Sequence, residues 1–180
     1  MRIIAGDNKG RKLKAPEGNK TRPTSENVKE AIFNIIQFDI YNKSFLDLFA
    51  GSGQIGIEAL SRGASEATFV EKDKQAVKVI KENLQNCRFK AEIFHEDAFY
   101  FLSRGESFDI IYLDPPYMTD YIAKCIDIIG NIDNLNENGI IICESSKNNN
   151  ITFDEKKFIN LVQKRYGNRV ISILKKYEYN

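Results

Sequence analysis

The chain has 180 residues, of which 42% are hydrophobic and 28% are charged. These fractions are ordinary for globular domains and exclude a wholly disordered chain. A chain of this length buries enough surface to fold as one domain without a disulfide or metal. The 26 Lys and Arg against 25 Asp and Glu give a net charge of +1, which by itself identifies no partner.

The charge is unevenly distributed along the chain. Residues 1–30 contain eight Lys and Arg against four acids, and residues 151–180 contain seven against three. Residues 31–150 contain eleven against eighteen. Two basic ends therefore flank an acidic middle, and such asymmetry indicates an anionic partner at the ends.

The three cysteines are widely spaced and include no C-x-x-C pair. This pattern favours a reducing compartment and argues against a structural zinc site. Charged residues interrupt every apolar run near the N-terminus, and no stretch approaches the roughly 18 apolar residues of a membrane span. We therefore expect a cytoplasmic protein with no membrane partner.

The first 43 residues predict an extension made of a hairpin, a loop and a helix. RIIAGDNKGRKLKAP has the pattern of two short strands around a turn at residues 7–10. Pro16, Gly18 and Pro23 interrupt regular structure. Thr24 or Ser25 is a candidate N-cap for the helix that follows. Its predicted apolar face consists of Val28, Ile32, Ile35 and Ile36.

Beyond residue 43, short apolar strands alternate with helical segments. Strands are predicted over residues 45–49, 67–71, 91–95, 108–114 and 139–144. Helices begin near Gly53, Lys74, Ala98 and Asp120. After Ile151 the pattern predicts one helix and two strands, near residues 163–166 and 170–175. Together these elements predict a doubly wound, mostly parallel seven-stranded α/β sheet. Ligands bind such sheets beyond the carboxyl ends of the strands.

A glycine motif follows the strand at residues 45–49. Residues 51–56, GSGQIG, match G-x-G-x-x-G and open a helix, so backbone N–H groups can approach a ligand closely. Glu71 lies twenty residues beyond Gly51, where a carboxylate can accept both ribose hydroxyl protons. The motif predicts a cofactor containing adenosine, and both NAD and S-adenosylmethionine fit it.

Two acids favour S-adenosylmethionine over NAD. Asp47 lies four residues before Gly51, where its carboxylate suits a cationic amino-acid cofactor and repels a pyrophosphate. Asp97 follows the third strand, where it can accept a hydrogen bond from the adenine amine. Acids are common at strand ends, so neither residue decides the choice alone.

Asp114-Pro115-Pro116-Tyr117 ends the fourth strand and supplies the chemistry. The two prolines stiffen the turn and present carbonyl oxygens instead of N–H donors. A carboxylate and a carbonyl together can hold both hydrogens of an amino group, and the Tyr117 ring can stack on a base. Held in this way, the nitrogen directs its lone pair at an electrophilic methyl group, and no metal is required.

These segments resemble a known family. DLFAGSGQIGIEALSRGA together with Glu71, Asp97 and DPPY is similar to class I S-adenosylmethionine-dependent amino methyltransferases. MRIIAGDNKGRKLKAP and RPTSENVKEAIFNII narrow the resemblance to the bacterial RsmD-type 16S rRNA guanine-N2 methyltransferases. The resemblance is strong over about the first 120 residues. DPPY alone also occurs in DNA adenine methyltransferases.

The resemblance implies a Rossmann-like methyltransferase domain over residues 44–180 and an RNA-recognition extension over residues 1–43. It assigns three groups of residues. The implied cofactor-binding residues are Asp47, Ala50, Gly51, Gly53, Glu71, Asp97 and Ala98. The implied catalytic residues are Asp114, Pro115 and Tyr117, and the implied substrate-binding residues are Arg22, Pro116 and Tyr117.

The sequence-based reading is a methyltransferase that acts on the N2 amine of a guanine in small-subunit ribosomal RNA. We expect the RNA to lie within a subunit assembly particle and the protein to be monomeric. An adenine-N6 DNA methyltransferase, a non-catalytic RNA-binding assembly factor and an NAD-dependent oxidoreductase remain alternatives. His95 is the single histidine, and a structural role fits it better than a catalytic one.

Overall fold

The computed structural model describes residues 1–16, 24–116, 120–149 and 151–177. The chain divides into two compact units, Met1–Ala98 and Phe99–Asn180. Two predicted site residues, Arg22 and Tyr117, lie outside the described residues, so their roles stay predictions.

The first unit contains a parallel three-stranded arrangement in the order β3-β2-β1. All four residues of β1 are buried. The nearly continuous apolar run in this segment predicted such burial, which is typical of parallel strands. The elements, in chain order, are α1 (Glu26–Ile35), β1 (Ser44–Asp47), α2 (Gln54–Ser61), β2 (Glu66–Val70), α3 (Lys74–Cys87) and β3 (Glu92–Phe94).

The second unit arranges its strands in the order β4-β5-β7-β6. β4 and β5 are parallel, whereas β7 is antiparallel to both β5 and β6. α4 (Ala98–Leu102) crosses the boundary between the units in sequence. The remaining elements are β4 (Phe108–Leu113), α5 (Tyr121–Ile132), β5 (Leu135–Ser146), β6 (Phe158–Tyr166) and β7 (Arg169–Lys176).

The helix predicted after Ile151 is wrong. Asp154 forms a turn there instead, since its Oδ1 accepts the Lys156 N–H at 2.9 Å and its carbonyl accepts the Phe158 N–H at 3.0 Å. Aspartate favours such turns because its short side chain bonds the backbone two residues on. β6 consequently begins at Phe158, five residues before the predicted strand.

The predicted N-terminal hairpin is reduced to a single bridge between Arg2 and Lys12 around the predicted turn. The ladder is not extended because Glu58 of α2 accepts the N–H groups of Ile4 and Ala5, at 2.9 and 3.0 Å. At Gly6, φ is +79°, and an added Cβ would lie 1.6 Å from the Ser61 carbonyl oxygen. The N-terminal segment is therefore docked on α2 rather than paired as a regular ribbon.

The helix predicted from Thr24 or Ser25 is α1, and Ser25 is its N-cap. Its buried face includes Lys29, which the apolar pattern did not reveal. Lys29 Nζ lies 3.2 Å from Glu58 Oε2 and donates to the Arg2 carbonyl at 2.7 Å. Both side chains are fully buried, and burial lowers the pKa of Lys29 against the opposing effect of Glu58.

The three cysteines are free and buried. Burial raises the pKa of the thiols of Cys87 and Cys143. Within the described ranges, no group of three or more His, Cys, Asp or Glu side chains is arranged to hold a metal ion. Among those same residues, no helix has the length and apolar character needed to cross a membrane.

Candidate functional site

The glycine loop joins β1 to α2 and leaves its backbone open at Gly51. Gly51 and Gly53 have φ values of +53° and +76°, in the left-handed region that favours glycine. A Cβ at Gly51 would meet no atom within 4 Å, so there is space at this point of the loop for a ligand to approach. The loop therefore fits the predicted cofactor-binding role of Gly51. At Gly53 a Cβ would lie 3.3 Å from the Ile80 and Phe69 side chains, so its cofactor-binding role stays a prediction.

Gly56 serves packing instead of ligand approach. A Cβ at this position would lie 2.4 Å from the Phe69 ring on β2, so the ring, the helix or the strand would have to shift. Its place in G-x-G-x-x-G matches the glycine that allows a helix to pack closely on a strand. The motif thus combines an open loop with a tight helix–strand contact.

Asp47 and Ala50 stabilise the glycine loop through hydrogen bonds to α2 and to β2. Asp47 is buried, and its Oδ2 accepts the Gly56 N–H at 3.0 Å in the first turn of α2. A carboxylate here complements the positive end of the helix dipole. The Ala50 N–H donates to the Val70 carbonyl at 3.0 Å. These contacts shape the loop, and direct cofactor contact by either residue stays a prediction.

Glu71 connects the end of β2 to the loop. Its Oε2 accepts the Gly51 N–H and its Oε1 accepts the Asp73 N–H, each at 2.8 Å. A carboxylate offers about four acceptor positions, so these two bonds fix its orientation and leave capacity for the predicted ribose hydroxyls. The geometry therefore holds Glu71 beside Gly51, as the spacing of twenty residues predicted.

The end of β3 carries the other predicted cofactor contacts. Asp97 is exposed, whereas Ala98 is buried at the start of α4. His95 is exposed, and its Nε2 lies 3.1 Å from the Lys72 carbonyl oxygen. The exposure of Asp97 is compatible with its predicted contact to an adenine amine, and that contact stays a prediction.

Three hydrogen bonds tie the loop to the N-terminal segment, and sequence reasoning missed them. The Asn83 Nδ2 group on α3 donates to the Ser52 carbonyl at 2.9 Å and to the Lys14 carbonyl at 3.0 Å. Gln54 Nε2 donates to the Thr24 carbonyl at 3.2 Å. Asn83 is buried, with 1% of its surface exposed. The loop and the N-terminal segment therefore share one hydrogen-bonded support.

In the second unit, Asp114 follows β4 as predicted, and its side chain is 20% exposed. Pro115 is buried and Pro116 is exposed. The Asp114 carboxylate thus lies at a partly open strand end, beside a proline that cannot donate a backbone hydrogen bond. This arrangement can present acceptors to an amino group.

Asp114 is connected to three further residues through a chain of contacts, and none of the three was identified as a site residue from the sequence. Arg169, the first residue of β7, places Nη1 3.7 Å from Asp114 Oδ2 and also pairs with Glu144 Oε1 on β5. Glu144 is fully buried and accepts the Tyr112 hydroxyl at 2.6 Å. Partners so distant in sequence leave no local signal, because strand pairing alone brings them together.

A family model described as conserved hypothetical protein 95 matches residues 1–175. The Bacillus subtilis protein YlbH is 37% identical over 182 residues, which cover 98% of this chain and 99% of YlbH. The ribosomal RNA small subunit methyltransferase D of Haemophilus influenzae is 37% identical over 153 residues, which cover 82% of this chain and 79% of that protein.

Among solved structures, the Escherichia coli protein yhhF aligns with a TM-score of 0.89 and 30% identity, covering 98% of this chain and 97% of yhhF. This likeness confirms the predicted fold class: an α/β fold with a seven-stranded sheet, mostly parallel, that ends in antiparallel strands.

Proposed function

Because the chain belongs to the family of RsmD-type ribosomal RNA methyltransferases, we propose that it methylates the exocyclic N2 amine of a guanine in small-subunit ribosomal RNA. The methyl donor in this proposal is S-adenosylmethionine. The observation that carries the proposal is that this chain has both sites that methyl transfer requires, one for the cofactor and one for the target amine. One is an open glycine loop beside Glu71, and the other is a partly exposed Asp114 whose Oδ2 lies 3.7 Å from the Arg169 guanidinium.

The cofactor belongs to residues of the first unit. S-adenosylmethionine, when bound, supplies a methyl group on a positively charged sulfur. The open backbone at Gly51 would accept its methionine end, Glu71 its ribose and the exposed Asp97 its adenine amine. The acidic character of these residues favours a cationic ligand over a pyrophosphate. Asp47 and Ala50 act by holding the loop in this shape.

The target amine belongs to residues of the second unit. We assign one amine hydrogen to the Asp114 carboxylate and the other to the Pro115 carbonyl oxygen. Each acceptor would hold one amine hydrogen by a hydrogen bond. Together they favour a pyramidal nitrogen whose lone pair is directed at the methyl group. Methyl transfer would form an N–C bond as the S–C bond of the donor breaks, with S-adenosylhomocysteine as the leaving group. The Asp114 carboxylate, which already accepts one amine hydrogen, would receive the proton that the nitrogen loses. Tyr117 would stack on the base, and Arg22 would contact the RNA.

Arg169 orients Asp114 in this scheme. Its guanidinium lies 3.7 Å from Asp114 Oδ2, which is longer than a hydrogen bond, and its positive charge would stabilise the carboxylate and favour one orientation of it. The buried Glu144 compensates the charge of Arg169, and the Tyr112 hydroxyl completes the group by donating to Glu144. The acceptor that receives the amine is therefore preorganised and needs little rearrangement when the base arrives.

The test is mass-spectrometric mapping of methylated nucleotides in ribosomal RNA from cells with and without the protein, together with methyl transfer by the purified protein. We expect one N2-methylguanine to depend on the protein. Asp114→Ala should reduce transfer by at least a thousandfold and leave S-adenosylmethionine affinity within about twofold, as expected for an interaction with the substrate base.

Three results would contradict the proposal in different ways. Methyladenine in DNA as the product would support the DNA methyltransferase. RNA binding without any transfer would support the assembly factor. Full activity of Asp114→Ala would remove Asp114 from the reaction.

A further inference from the structure

The outward face of α3 carries a line of positive charge. Lys74, Lys78 and Lys81 of α3 are all exposed and are spaced four and three residues apart. Residues at such spacings share one side of a helix. At 1.5 Å per residue, these three lysines extend over about 10 Å of the helix. Arg88 is also exposed, and it follows the helix as its C-cap in the left-handed conformation. Neutral Gln85 occupies the same face between Lys81 and Arg88.

The N-terminal segment adds positive charges beside this helix. Asn83 Oδ1 accepts the Lys14 N–H at 2.8 Å, and Asn86 Nδ2 donates to the Lys12 carbonyl at 3.0 Å. The Arg11 guanidinium also donates to the Asn86 carbonyl. These bonds hold residues 11–14 along α3. Their partners Asn83 and Asn86 lie about one helical turn apart, so the two segments form one surface.

We call residues 9–14 and 74–90 together the α3 basic surface. It contains nine Lys and Arg and one acid, Glu82. Lys14 Nζ lies 2.8 Å from Glu82 Oε2, and this hydrogen bond, with the nearby charge of Lys78, lowers the pKa of Glu82. The negative charge of the single acid is therefore compensated by a lysine of the same surface.

This surface has a cost for folding. Like charges four residues apart, such as Lys74 and Lys78, repel each other and destabilise a helix. A helix that served only to cover the core would gain stability from acids at these positions. The accumulation of one sign of charge is instead what an anionic polymer requires.

We propose that the α3 basic surface binds the phosphate backbone of the RNA substrate. The inference rests on the proposed function for the identity of the polymer, and it extends the RNA contact beyond residues 1–43 to a helix inside the acidic middle of the chain. Lys74, Lys78, Lys81 and Arg88 act as a row of phosphate contacts, with Lys9, Arg11 and Lys12 beside them.

The composition of the surface distinguishes RNA from other anionic partners. The large hydrophobic side chains that are exposed in the described residues all lie outside residues 9–14 and 74–90. Helices that bind membrane surfaces insert apolar residues, and protein interfaces use aromatic anchors and contain few lysines at their centre. A lysine-rich surface without exposed apolar anchors matches phosphate contacts, which position a nucleic acid without reading its sequence.

The experiment compares Lys78→Gln/Lys81→Gln with the matched control Lys156→Gln/Lys164→Gln, which removes two exposed lysines from the second unit. Both variants keep the catalytic and cofactor residues intact. Fluorescence anisotropy measures the affinity for a transcript of small-subunit rRNA over a series of salt concentrations. The α3 variant should bind about tenfold more weakly at physiological salt, and its salt slope should fall by about 1.5 because each phosphate contact contributes 0.7 to 0.9.

The outcomes are separable from those of the proposed function, because binding is measured without methyl transfer. An unchanged slope in the α3 variant, or an equal decrease in the control, would overturn the proposal. Weaker binding to vesicles of anionic phospholipid, or to polyglutamate, with unchanged RNA binding would identify a membrane or an acidic protein and would also overturn it. Unchanged S-adenosylmethionine affinity excludes a folding defect as the cause of a positive result.

Discussion

Arg169 contacts two acids of different exposure in the second unit. Glu144 is fully buried and Asp114 is 20% exposed, so the guanidinium compensates a buried charge and, in the proposed mechanism, orients an accessible one. Removing the arginine would affect both functions. A change at this position therefore has to be measured for stability as well as for activity.

We expect Arg169→Gln to lower kcat for methyl transfer by about tenfold to a hundredfold, since misplacement of a reacting group by about 1 Å has an effect of this size. The affinity for S-adenosylmethionine should not change. Arg169→Lys should restore part of the rate by returning the charge. Steady-state kinetics and isothermal calorimetry provide the two measurements.

The control for folding is Glu144→Gln/Arg169→Met, which removes the buried pair together. Such replacements are often neutral for stability. This double variant should unfold near the wild-type urea concentration and still show the reduced kcat. Wild-type kcat in a folded double variant would show that Arg169 does not orient Asp114.

At the same scale, local motifs explain which site residues the sequence reveals. Gly51, Glu71 and Asp114 lie in short patterns with fixed spacings to a predicted strand, so their positions follow from the strand itself. Glu144 and Arg169 have no such pattern. Their role arises from the antiparallel pairing of β5 with β7, which the sequence predicts only in outline.

At the scale of elements, the N-terminal segment is held by a buried ion pair between helices. Glu58 of α2 accepts two backbone N–H groups of the segment and pairs with Lys29 of α1. Ile3 and Leu13 are buried as well. Deletion of the segment would therefore expose apolar core, and point substitutions on its surface test RNA binding more cleanly.

We expect Glu58→Gln to reduce the free energy of unfolding by about 3–5 kcal/mol, because Lys29 then remains buried without its counter-ion. Lys29→Met/Glu58→Gln should recover part of this loss. Urea denaturation measures both. Glu82→Gln, which breaks the exposed pair with Lys14, is the matched control and should have little effect. Equal stability of Glu58→Gln and wild type would contradict the role of the pair.

Element prediction succeeded where the apolar pattern alone determines the structure. The buried strands β1, β2 and β4 follow from continuous apolar runs. It failed where a side chain competes for backbone groups: Asp154 replaces a helix by a turn, and Glu58 limits the N-terminal pairing to one bridge. Such competition depends on side-chain contacts with the backbone, which the apolar periodicity of the sequence does not reveal.

At the scale of the whole molecule, the near-zero net charge results from segregated charges. The acids Asp47, Glu71 and Asp97 lie where a cationic cofactor is proposed, whereas positive charge collects on the α3 basic surface. The division into basic ends and an acidic middle captured only part of this arrangement. This division missed the positive charge of α3, because the net charge summed over residues 31–150 is negative and conceals one basic helix.

We expect S-adenosylmethionine at about one hundred times its Kd to stabilise the protein by roughly 2.7 kcal/mol, because it binds the folded state alone. For a chain of this size the melting temperature should rise by roughly 5–10 °C. Differential scanning fluorimetry measures the shift, and Glu71→Gln should diminish it. A shift with NAD and none with S-adenosylmethionine would contradict the cofactor assignment.

Asn83 has a consequence for how the protein would respond to its two ligands. One buried amide group holds the Ser52 carbonyl in the glycine loop and the Lys14 carbonyl in the N-terminal segment. Any shift of one carbonyl changes the geometry of the hydrogen bond to the other. If the cofactor binds at the loop and RNA at the segment, as proposed, the two binding events would be thermodynamically linked, and each would alter the affinity for the other by the same factor. A single asparagine would thereby couple the two ligands.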